Sequence, residues 1–294
     1  MDGVLLIDKP GGLTSAEIVR RVKARVKPAR VGHLGTLDPF ATGLLPILVG
    51  QGTKLAPFLE KGEKEYRGTI ALGAETDTLD RCGEIVRVAE VPALDASALA
   101  QVTARFIGRI EQVPPLFSAI KRDGVPLYKL ARRGGEVEPA PPRQVEISGL
   151  DLELESAASL RFTVVCSTGT YVRSLARDIG VALGTAAHLA VLRRYRSSGF
   201  SVTDALDLDR MLALLEQGDA SALVGMREAL AALGEVSVDP PIRNRLFNGD
   251  WAALGGVTPI QAGPFKVICD RELVAIAEFG PDRRANLLRV FPAS

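Results

Sequence analysis

The spacing of hydrophobic residues predicts an alternation of strands and helices over most of the chain. Short apolar runs bounded by turn residues predict buried strands at 3–8 and 44–50, and Thr14-Ser15-Ala16-Glu17 is a capping pattern that predicts a helix ending near residue 26. Other strands are predicted at 64–72, 84–88, 144–155, 159–166 and 187–200. Helical patterns predict helices at 53–60 and 97–107, one that ends near 183, and a pair between 206 and 233.

The chain changes character in two places. Residues 112–145 are rich in Pro and Gly and carry six basic against three acidic side chains, which is typical of a mobile insertion that closes over a ligand. Pro240-Pro241 indicates a linker or hinge, and residues 242–294 predict a short helix followed by four or five short strands. We therefore expect a first domain over 1–235, with the insertion at about 112–145, and a small β-rich domain over 240–294.

Composition narrows the class of protein. The chain has 294 residues, enough for about two domains, and its 47% hydrophobic and 24% charged residues are ordinary for a folded protein. The net charge is only +1, so binding to a nucleic acid would need local basic patches. The first residues lack the basic and long apolar pattern typical of a signal peptide, and no apolar run approaches ~18 residues. The three cysteines fit neither a disulfide framework nor a zinc site. We expect a cytoplasmic protein without a metal.

Residues 32–46 concentrate the candidate chemistry. Their three glycines and two prolines predict an irregular loop running into the second strand. Asp38 is the only carboxylate of this loop, and Pro39 biases it toward an extended backbone. A carboxylate held by a constrained apolar loop suits a nucleophile or a general base. The alternative is a helix N-cap, with Pro39 at the first helical position.

Basic residues precede and follow this loop in the sequence. Residues 14–36 carry six basic side chains and one acidic side chain, a composition that fits either a solvated face or an electrostatic funnel for a polyanion. Arg193, Arg194 and Arg196 lie on a later predicted strand, and we expect them to border the same site. Arg173 falls in the first turn of a predicted helix, where a cation opposes the helix dipole, so we expect a carboxylate beside it.

An acidic segment, 76–83, offers a second candidate site. Asp77 and Asp80 are candidate ligands for Mg²⁺, although their spacing is not specific for it. The turn preferences of Asp and Thr favour capped turns instead.

Several motifs occur together and in a fixed order. They are Lys9-Pro10-Gly11-Gly12, the 32–46 loop, Lys64-Glu65-Tyr66-Arg67, Thr76-Asp77-Thr78-Leu79-Asp80, Pro114-Pro115-Leu116-Phe117-Ser118-Ala119-Ile120-Lys121, Gly169-Thr170-Tyr171-Val172-Arg173 and Leu192-Arg193-Arg194. In this combination the chain resembles the TruB family of tRNA pseudouridine synthases, from residue 3 to a C-terminal module that resembles a small PUA domain. The resemblance implies an α/β (α+β) fold: a mixed, largely antiparallel sheet as the pseudouridine synthase core, a cleft across one face, and a PUA-like β-barrel.

The resemblance also implies a reaction. Such enzymes isomerise uridine at position 55, in the T-arm of tRNA, to pseudouridine: the C1′–N1 bond breaks, the held uracil turns, and C1′ rebonds to C5. No cofactor is implied, because no group enters or leaves. Asp38 matches the catalytic aspartate, Arg173 the residue that pairs with it, and Tyr66 the aromatic that stacks on the uracil. Attack at C1′ and proton removal from C2′ both stay open for Asp38.

Further positions are implied to bind the substrate. Leu192 matches an apolar wall of the pocket, and His33 matches the residue that fills the gap left by the flipped base. For His33 a turn histidine bonded to the backbone is the alternative. Lys9 matches a family position that could order the loop or meet a phosphate. The remaining expected substrate contacts are Tyr171, Arg193 and Arg194.

Three other classes share part of this pattern. A tRNA-folding chaperone without catalysis would need the basic segments but not Asp38 with Arg173. A nucleoside hydrolase would release free base and usually uses two carboxylates. A guide-RNA-dependent pseudouridine synthase normally adds longer, more basic extensions. We expect a monomer that acts on the T-arm of tRNA, with no membrane association and no obligate protein partner.

Overall fold

Strands form most of the frame of the molecule. The structure, a computed structural model, describes residues 1–26, 30–118, 120–122, 124–127, 138, 140–256, 263–280 and 284–292. Its strands are β1 (Gly3–Lys9), β2 (Val31–His33), β3 (Thr42–Val49), β4 (Lys64–Leu72), β5 (Ala74–Thr76), β6 (Ile85–Val88), β7 (Gly108–Gln112), β8 (Lys121–Arg122), β9 (Val125–Pro126), β10 (Arg143–Ser156), β11 (Ser159–Cys166), β12 (Ala187–Ser197), β13 (Phe200–Ser201), β14 (Leu206–Asp207), β15 (Leu223–Gly225), β16 (Gly234–Ser237), β17 (Pro264–Cys269), β18 (Glu272–Phe279) and β19 (Ala285–Val290).

The helices are short and lie between the strands. They are α1 (Ser15–Arg25), α2 (Ala56–Leu59), α3 (Ala96–Phe106), α4 (Val172–Ala182), α5 (Leu208–Glu216), α6 (Met226–Ala229) and α7 (Pro240–Phe247), with 3₁₀ segments at Gly50–Leu55, Val202–Asp204 and Trp251–Leu254. Helix α1 begins at the predicted cap, where Thr14 Oγ1 accepts from Glu17 N at 3.0 Å. None of the helices in the described ranges is long and apolar enough to cross a membrane.

One large sheet carries the first part of the chain. Eleven strands of the described residues join it, and its main order is β14-β1-β3-β12-β4-β11-β10-β7. Neighbouring strands along this path run antiparallel except in the pairs β1–β14 and β3–β12. The predicted mixed, largely antiparallel sheet is therefore confirmed.

The two faces of this sheet bury different sets of residues. Side chains alternate between faces along a strand, so Leu5 and Ile7 of β1 lie on one face, and Val4 and Leu6 lie on the other. Helices α1, α3, α4 and α5 cover the first face, which we call the front face, and their apolar side chains join Leu5 and Ile7 in one core. The opposite face, which we call the rear face, packs against a second sheet.

The second sheet is the C-terminal one, in the order β16-β17-β18-β19. Its residues Ile268, Ile276 and Phe291 share one buried apolar cluster with Leu6 and Leu48 of the large sheet. The C-terminal sheet is thus attached to the rear face by a common core. The strands that the structure describes here form an open four-stranded sheet, so the PUA-like barrel stays a prediction.

The expectation of a linker or hinge at Pro240-Pro241 is wrong. Both prolines lie in the first turn of α7, and Asp239 caps this helix by accepting from Ile242 N at 3.0 Å. Proline fits a first helical turn because its missing N–H would have no partner there. The C-terminal sheet also begins earlier, with β16 at Gly234, which pairs with β17.

The predicted pair of helices between 206 and 233 is only partly present. Helix α5 lies there, but α6 is a single turn, and the short strands β14 and β15 pair with β1. Pairing to an exposed sheet edge overrides the helical composition of these segments. Much of the predicted insertion, including residues 128–137, lies outside the described residues.

Candidate active site

Asp38 lies in an irregular loop that enters β3. Pro39 and Phe40 form a turn after it, in which Ala41 N donates to Asp38 O at 3.1 Å. No helix follows, so Asp38 is not a helix N-cap. The constrained loop expected from the glycines and prolines is confirmed.

The segment between β1 and α1 holds this loop in place. The Ser15 hydroxyl is buried and bonds both backbone groups of Leu37: it accepts from Leu37 N at 2.9 Å and donates to Leu37 O at 3.1 Å. Gly12 N donates to Pro39 O at 2.7 Å. The backbone on both sides of Asp38 is therefore fixed. Sequence reasoning did not identify Ser15, because its residue type also fits the ordinary start of a helix.

Lys9 supports the loop from below. Its side chain is fully buried, and Nζ donates to Pro10 O at 2.9 Å, to Leu13 O at 2.7 Å and to Pro39 O at 3.3 Å. Burial lowers the pKa of Lys9 to about 8, although the Asp38 carboxylate acts in the opposite direction. Of the two roles left open for Lys9, this geometry supports ordering of the loop, since a buried ammonium is not accessible to a phosphate.

Arg173 supplies the expected partner of Asp38. Its guanidinium binds the carboxylate through two contacts, Nε to Oδ2 at 2.8 Å and Nη2 to Oδ1 at 3.1 Å. The same group donates to Thr78 O at 2.9 Å and to Phe117 O at 3.0 Å. A planar guanidinium with this many acceptors has one orientation only, so it aims the carboxylate as well as balancing its charge.

Asp80 is a second carboxylate beside Arg173. It is buried, with Oδ2 lying 3.6 Å from Arg173 Nη1, and its Oδ1 accepts from Thr78 Oγ1 at 2.8 Å and from Cys82 N at 2.9 Å. These bonds form the capped turn favoured for this segment. No group of three or more potential metal ligands occurs among the described residues. The contact with Arg173 was not foreseen, because it joins segments far apart in the chain.

Burial determines the electrostatics of Asp38. It raises the pKa of the Asp38 carboxyl; Arg173 opposes this shift, and the Asp80 carboxylate adds to it. About 31% of the Asp38 side chain is nevertheless exposed, against 6% for Arg173. Arg173 binds the carboxylate from the protein side, and its other side is open to solvent. A group that reacts with a bound molecule must be accessible in this way.

Tyr66 and Leu192 belong to the same buried core as Leu37 and Phe40 of the Asp38 loop. They lie on the neighbouring strands β4 and β12 with their side chains on the front face, and only 6% of Tyr66 and 5% of Leu192 is exposed. Burial raises the pKa of the Tyr66 phenol; the Arg194 guanidinium opposes this shift, and the Asp38 carboxylate adds to it. An aromatic ring and an aliphatic side chain next to a carboxylate suit a flat, weakly polar ring such as a nucleobase.

Arg194 lies beneath the Asp38 loop rather than at its surface. The side chain is fully buried, with Nε donating to Leu44 O at 2.7 Å and Nη2 to Gly35 O at 3.0 Å. Gly43 permits this approach: its φ is +100°, and a Cβ there would lie 2.3 Å from Arg194 O. Arg194 borders the site as expected, but its bonds support the loop, and a phosphate has no access to it.

Arg193 points away from the site. It precedes Arg194 on β12, so its side chain lies on the opposite face of the sheet, where it binds Asp8 through Nη2–Oδ2 at 2.6 Å and Nη1–Oδ1 at 3.0 Å. The structure therefore does not bring Arg193 together with Asp38 and Tyr66.

The basic segment 14–36 is partly neutralised. Arg20 and Arg21 both pair with Glu17, and Arg25 pairs with Glu216 at 2.7 Å. Lys27 lies outside the described residues. Because Glu17 is already counted in the composition of the segment, it is the pairing of Arg25 with Glu216 that weakens the positive field beyond that count.

His33 lies near Arg194, and Tyr171 directly precedes α4, the helix that carries Arg173. His33 Nδ1 is buried with no hydrogen-bond partner among the described residues, which does not support a turn histidine bonded to the backbone through that nitrogen. Burial and the nearby Arg194 lower the His33 pKa. The Tyr171 backbone is bonded twice by the Gln112 amide, at 2.7 and 3.1 Å, and its ring stacks under Arg143 at 4.3 Å. Gln112 carried no sequence signal.

Comparison with known proteins identifies the family and the fold. Residues 21–172 match the model of the "TruB family pseudouridylate synthase (N terminal domain)", and residues 173–233 match that of the "tRNA pseudouridylate synthase B C-terminal domain". In a solved structure, "Crystal Structure of a Cbf5-Nop10-Gar1 Complex", a chain 26% identical superposes with a TM-score of 0.74 over 98% of this chain and 84% of that one. The fold is that of a pseudouridylate synthase.

Two curated relatives make the assignment narrower. "tRNA pseudouridine synthase B" of Geobacter sulfurreducens is 42% identical over 99% of this chain and 100% of that protein. The protein of the same name from Bordetella pertussis is 46% identical over 79% of this chain and 95% of that protein. The chain belongs to the TruB family, which confirms the resemblance drawn from its motifs.

Proposed function

We propose that this protein isomerises uridine to pseudouridine at position 55, in the T-arm of tRNA. The observation that carries the proposal is the two-point pairing of Asp38 with Arg173, in a loop that shares its buried core with Tyr66 and Leu192. The relatives named tRNA pseudouridine synthase B support tRNA as the substrate. In this proposal residues 1–235 carry the reaction, residues 240–294 grip RNA, and the protein acts as a cytoplasmic monomer.

Asp38 carries the central step. The target uridine turns out of its stack, and the ring of His33 fills the gap. Asp38 then either attacks C1′ or removes a proton from C2′, and in both routes the C1′–N1 bond breaks with its electron pair passing to the uracil. Arg173 favours the ionised form of Asp38 and so opposes the desolvation that raises its pKa. The exposed side of the carboxylate meets the sugar.

Tyr66 acts on the detached base. Its buried ring stacks on the uracil while C5 turns toward C1′, and Leu192 closes the apolar side of the pocket. As the C1′–C5 bond forms, either the bond between Asp38 and C1′ breaks or the proton that Asp38 removed returns to C2′. The proton on C5 then leaves, and N1 of the uracil is protonated. The atoms of substrate and product are the same, so the reaction consumes no cofactor.

Substitution of Asp38 tests the proposal. We expect Asp38→Asn to bind tRNA but to release no tritium from tRNA labelled at C5 of its uridines, because an amide is neither a nucleophile nor a base here. Asp151→Asn, an exposed side chain on β10, is the matched control and should keep full turnover. Normal turnover by Asp38→Asn would overturn the proposal.

The substrate form separates the two nearest alternatives. A bare T-arm hairpin should be converted without any added RNA, whereas a guide-dependent enzyme would need its guide. A tRNA-folding chaperone would release no tritium from full-length tRNA or from the hairpin. Sequencing of the product for pseudouridine at position 55 completes the assignment.

A further inference from the structure

A basic cleft lies where the C-terminal sheet meets the large sheet. It has a volume of ≈570 Å³ and opens between the segment that follows β3 and strand β19. The residues that line it are Arg30, Thr53, Lys54, Pro57, Leu287, Leu288, Arg289 and Val290. It is separate from the pocket around Asp38, because none of those lining residues belongs to the catalytic loop.

The described residues that line this cleft carry only positive charge. They include Arg30, Lys54 and Arg289, and none of them is a carboxylate. None of the three forms an ion pair with a described carboxylate, whereas Arg25, which lies only five residues before Arg30, pairs with Glu216. In a chain whose net charge is only +1, three cations facing one cleft form a local anion-binding field.

Lys54 is held in position for such a role. Its ammonium donates to Gln51 Oε1 at 3.1 Å and to Val290 O at 3.4 Å, and it lies 5.6 Å from the centre of the Phe291 ring. These contacts span the junction between the two sheets. They leave the full positive charge in place, because every one of the acceptors is neutral.

Strand β2 connects the cleft to the active site. Arg30 precedes this strand and His33 ends it, and the strand is fixed by its pairing of Val31 with Val49 and of His33 with Ile47. Three residues of strand correspond to about 10 Å. A nucleic-acid chain that leaves the flipped nucleotide beside His33 along β2 would therefore reach the cleft.

We propose that this cleft binds backbone phosphates of the tRNA, next to but outside the site of the reacting nucleotide. The proposal rests on the proposed function, since it takes the RNA at the Asp38 site as its ligand. Phosphate contacts of this kind position a nucleic acid and carry no sequence information. The cleft thus contributes affinity and register, and the chemical step is independent of it.

The salt dependence of binding tests this proposal. The variant Arg30→Gln/Arg289→Gln removes two cations that have no described ion pair, and Arg105→Gln on α3 is a control for an exposed cation elsewhere. Equilibrium binding of full-length tRNA is measured between about 50 and 400 mM salt. Each lost phosphate contact makes the slope of log K against log[salt] shallower by ~0.7–0.9, so the slope of the double variant should be shallower by ~1.4–1.8. At 0.1 M salt the double variant should bind tRNA about 25- to 60-fold more weakly than the wild type.

Two further measurements make the result specific. Arg30→Lys/Arg289→Lys should keep the wild-type slope, because charge and not geometry matters to a phosphate contact. The single-turnover rate of the double variant at saturating enzyme should equal that of the wild type. The cleft proposal would be overturned if the double variant kept the wild-type slope, or if Arg105→Gln made the slope shallower by the same amount. In a second contradicting outcome, the wild type binds inorganic phosphate, the double variant does not, and both have the same salt slope for tRNA. That result would indicate a small-anion site.

Failure of the cleft proposal is distinguishable from failure of the proposed function. If the wild type forms pseudouridine and the double variant has the same salt slope as the wild type, only the cleft proposal is wrong. If the wild type forms none, the proposed function is wrong, whatever the slopes show.

Discussion

The two faces of the large sheet differ in how much charge they bury. On the front face, Lys9, Arg173 and Arg194 are almost completely buried, and backbone carbonyls accept hydrogen bonds from each of them. On the rear face the core is apolar and is shared with the C-terminal sheet. Of the cations at this junction, Arg289 is exposed, Lys54 is half-buried, and Lys266 is buried and pairs with Glu235.

This difference shows where the protein loses stability in order to hold a functional group in place. Burying a charge is costly unless it is paired and hydrogen-bonded, and the front face meets that cost around Asp38 in order to hold one carboxylate in one orientation. On the rear face the buried Lys266, which pairs with Glu235 at 3.3 Å, lies away from Asp38, and apolar contacts hold the two sheets together. We therefore expect front-face substitutions to change the reaction and rear-face substitutions to change stability.

The largest effect should come from Arg173→Lys. Lysine keeps the charge but cannot bind both Asp38 oxygens, so the carboxylate loses its orientation. We expect the single-turnover rate to fall ~10²–10⁴-fold, the range typical of a lost positioning or electrostatic contact. Arg193→Lys, on the opposite face, is the matched control and should change the rate less than twofold. Equal effects of the two substitutions would remove the distinction between the faces.

A rear-face substitution should act on stability alone. Ile276 is fully buried in the core shared by the two sheets, and Ile276→Ala should reduce the free energy of unfolding by about 2–5 kcal/mol. Urea denaturation would measure this loss, and the single-turnover rate of the remaining folded protein should match the wild type.

The same measurement tests whether the sheets unfold together. Val274 packs within the separate core of the C-terminal sheet, so Val274→Ala is the control. If the sheets share one transition, both variants shift it. A separate transition that moves alone would contradict the common core. Because that core is shared, deleting residues 240–294 would uncover apolar surface of the large sheet, and it is therefore not a clean test of RNA affinity.

The smallest effect concerns pH. The pKa of Asp38 is raised, and its ionised form reacts, so the rate should fall as pH decreases through a value above the ordinary carboxyl range. The protonated form of Lys9 holds the loop and its pKa is about 8, so the rate should also fall as pH rises through about 8. A bell-shaped profile of the single-turnover rate is the expected result.

Tyr66→Phe identifies the origin of the alkaline limb. Burial raises the Tyr66 pKa above its usual value of 10.0, so titration of this phenol should lie well above the limb near 8. The variant should be slower but keep that limb. Loss of the limb in Tyr66→Phe would assign it to the phenol instead of Lys9.

Much of the candidate site follows from local sequence. The glycines and prolines of the 32–46 loop exclude a regular helix or central strand, so a rigid loop presenting Asp38 could be predicted. The position of Arg173 in a first helical turn required a nearby carboxylate, and Asp38 meets that requirement. Both inferences depend on backbone chemistry within a few residues, which a sequence displays directly.

The sequence by itself thus determined the loop, most of the strands and the family of the protein. Only the tertiary structure decided which of two adjacent arginines, Arg193 or Arg194, lies on the front face, because a register slip of one residue would exchange them. It also brought Asp80 to Arg173, and Arg30 to Arg289 across a cleft. Strand register and long-range pairing are set by packing of the whole core, so no local pattern contains them.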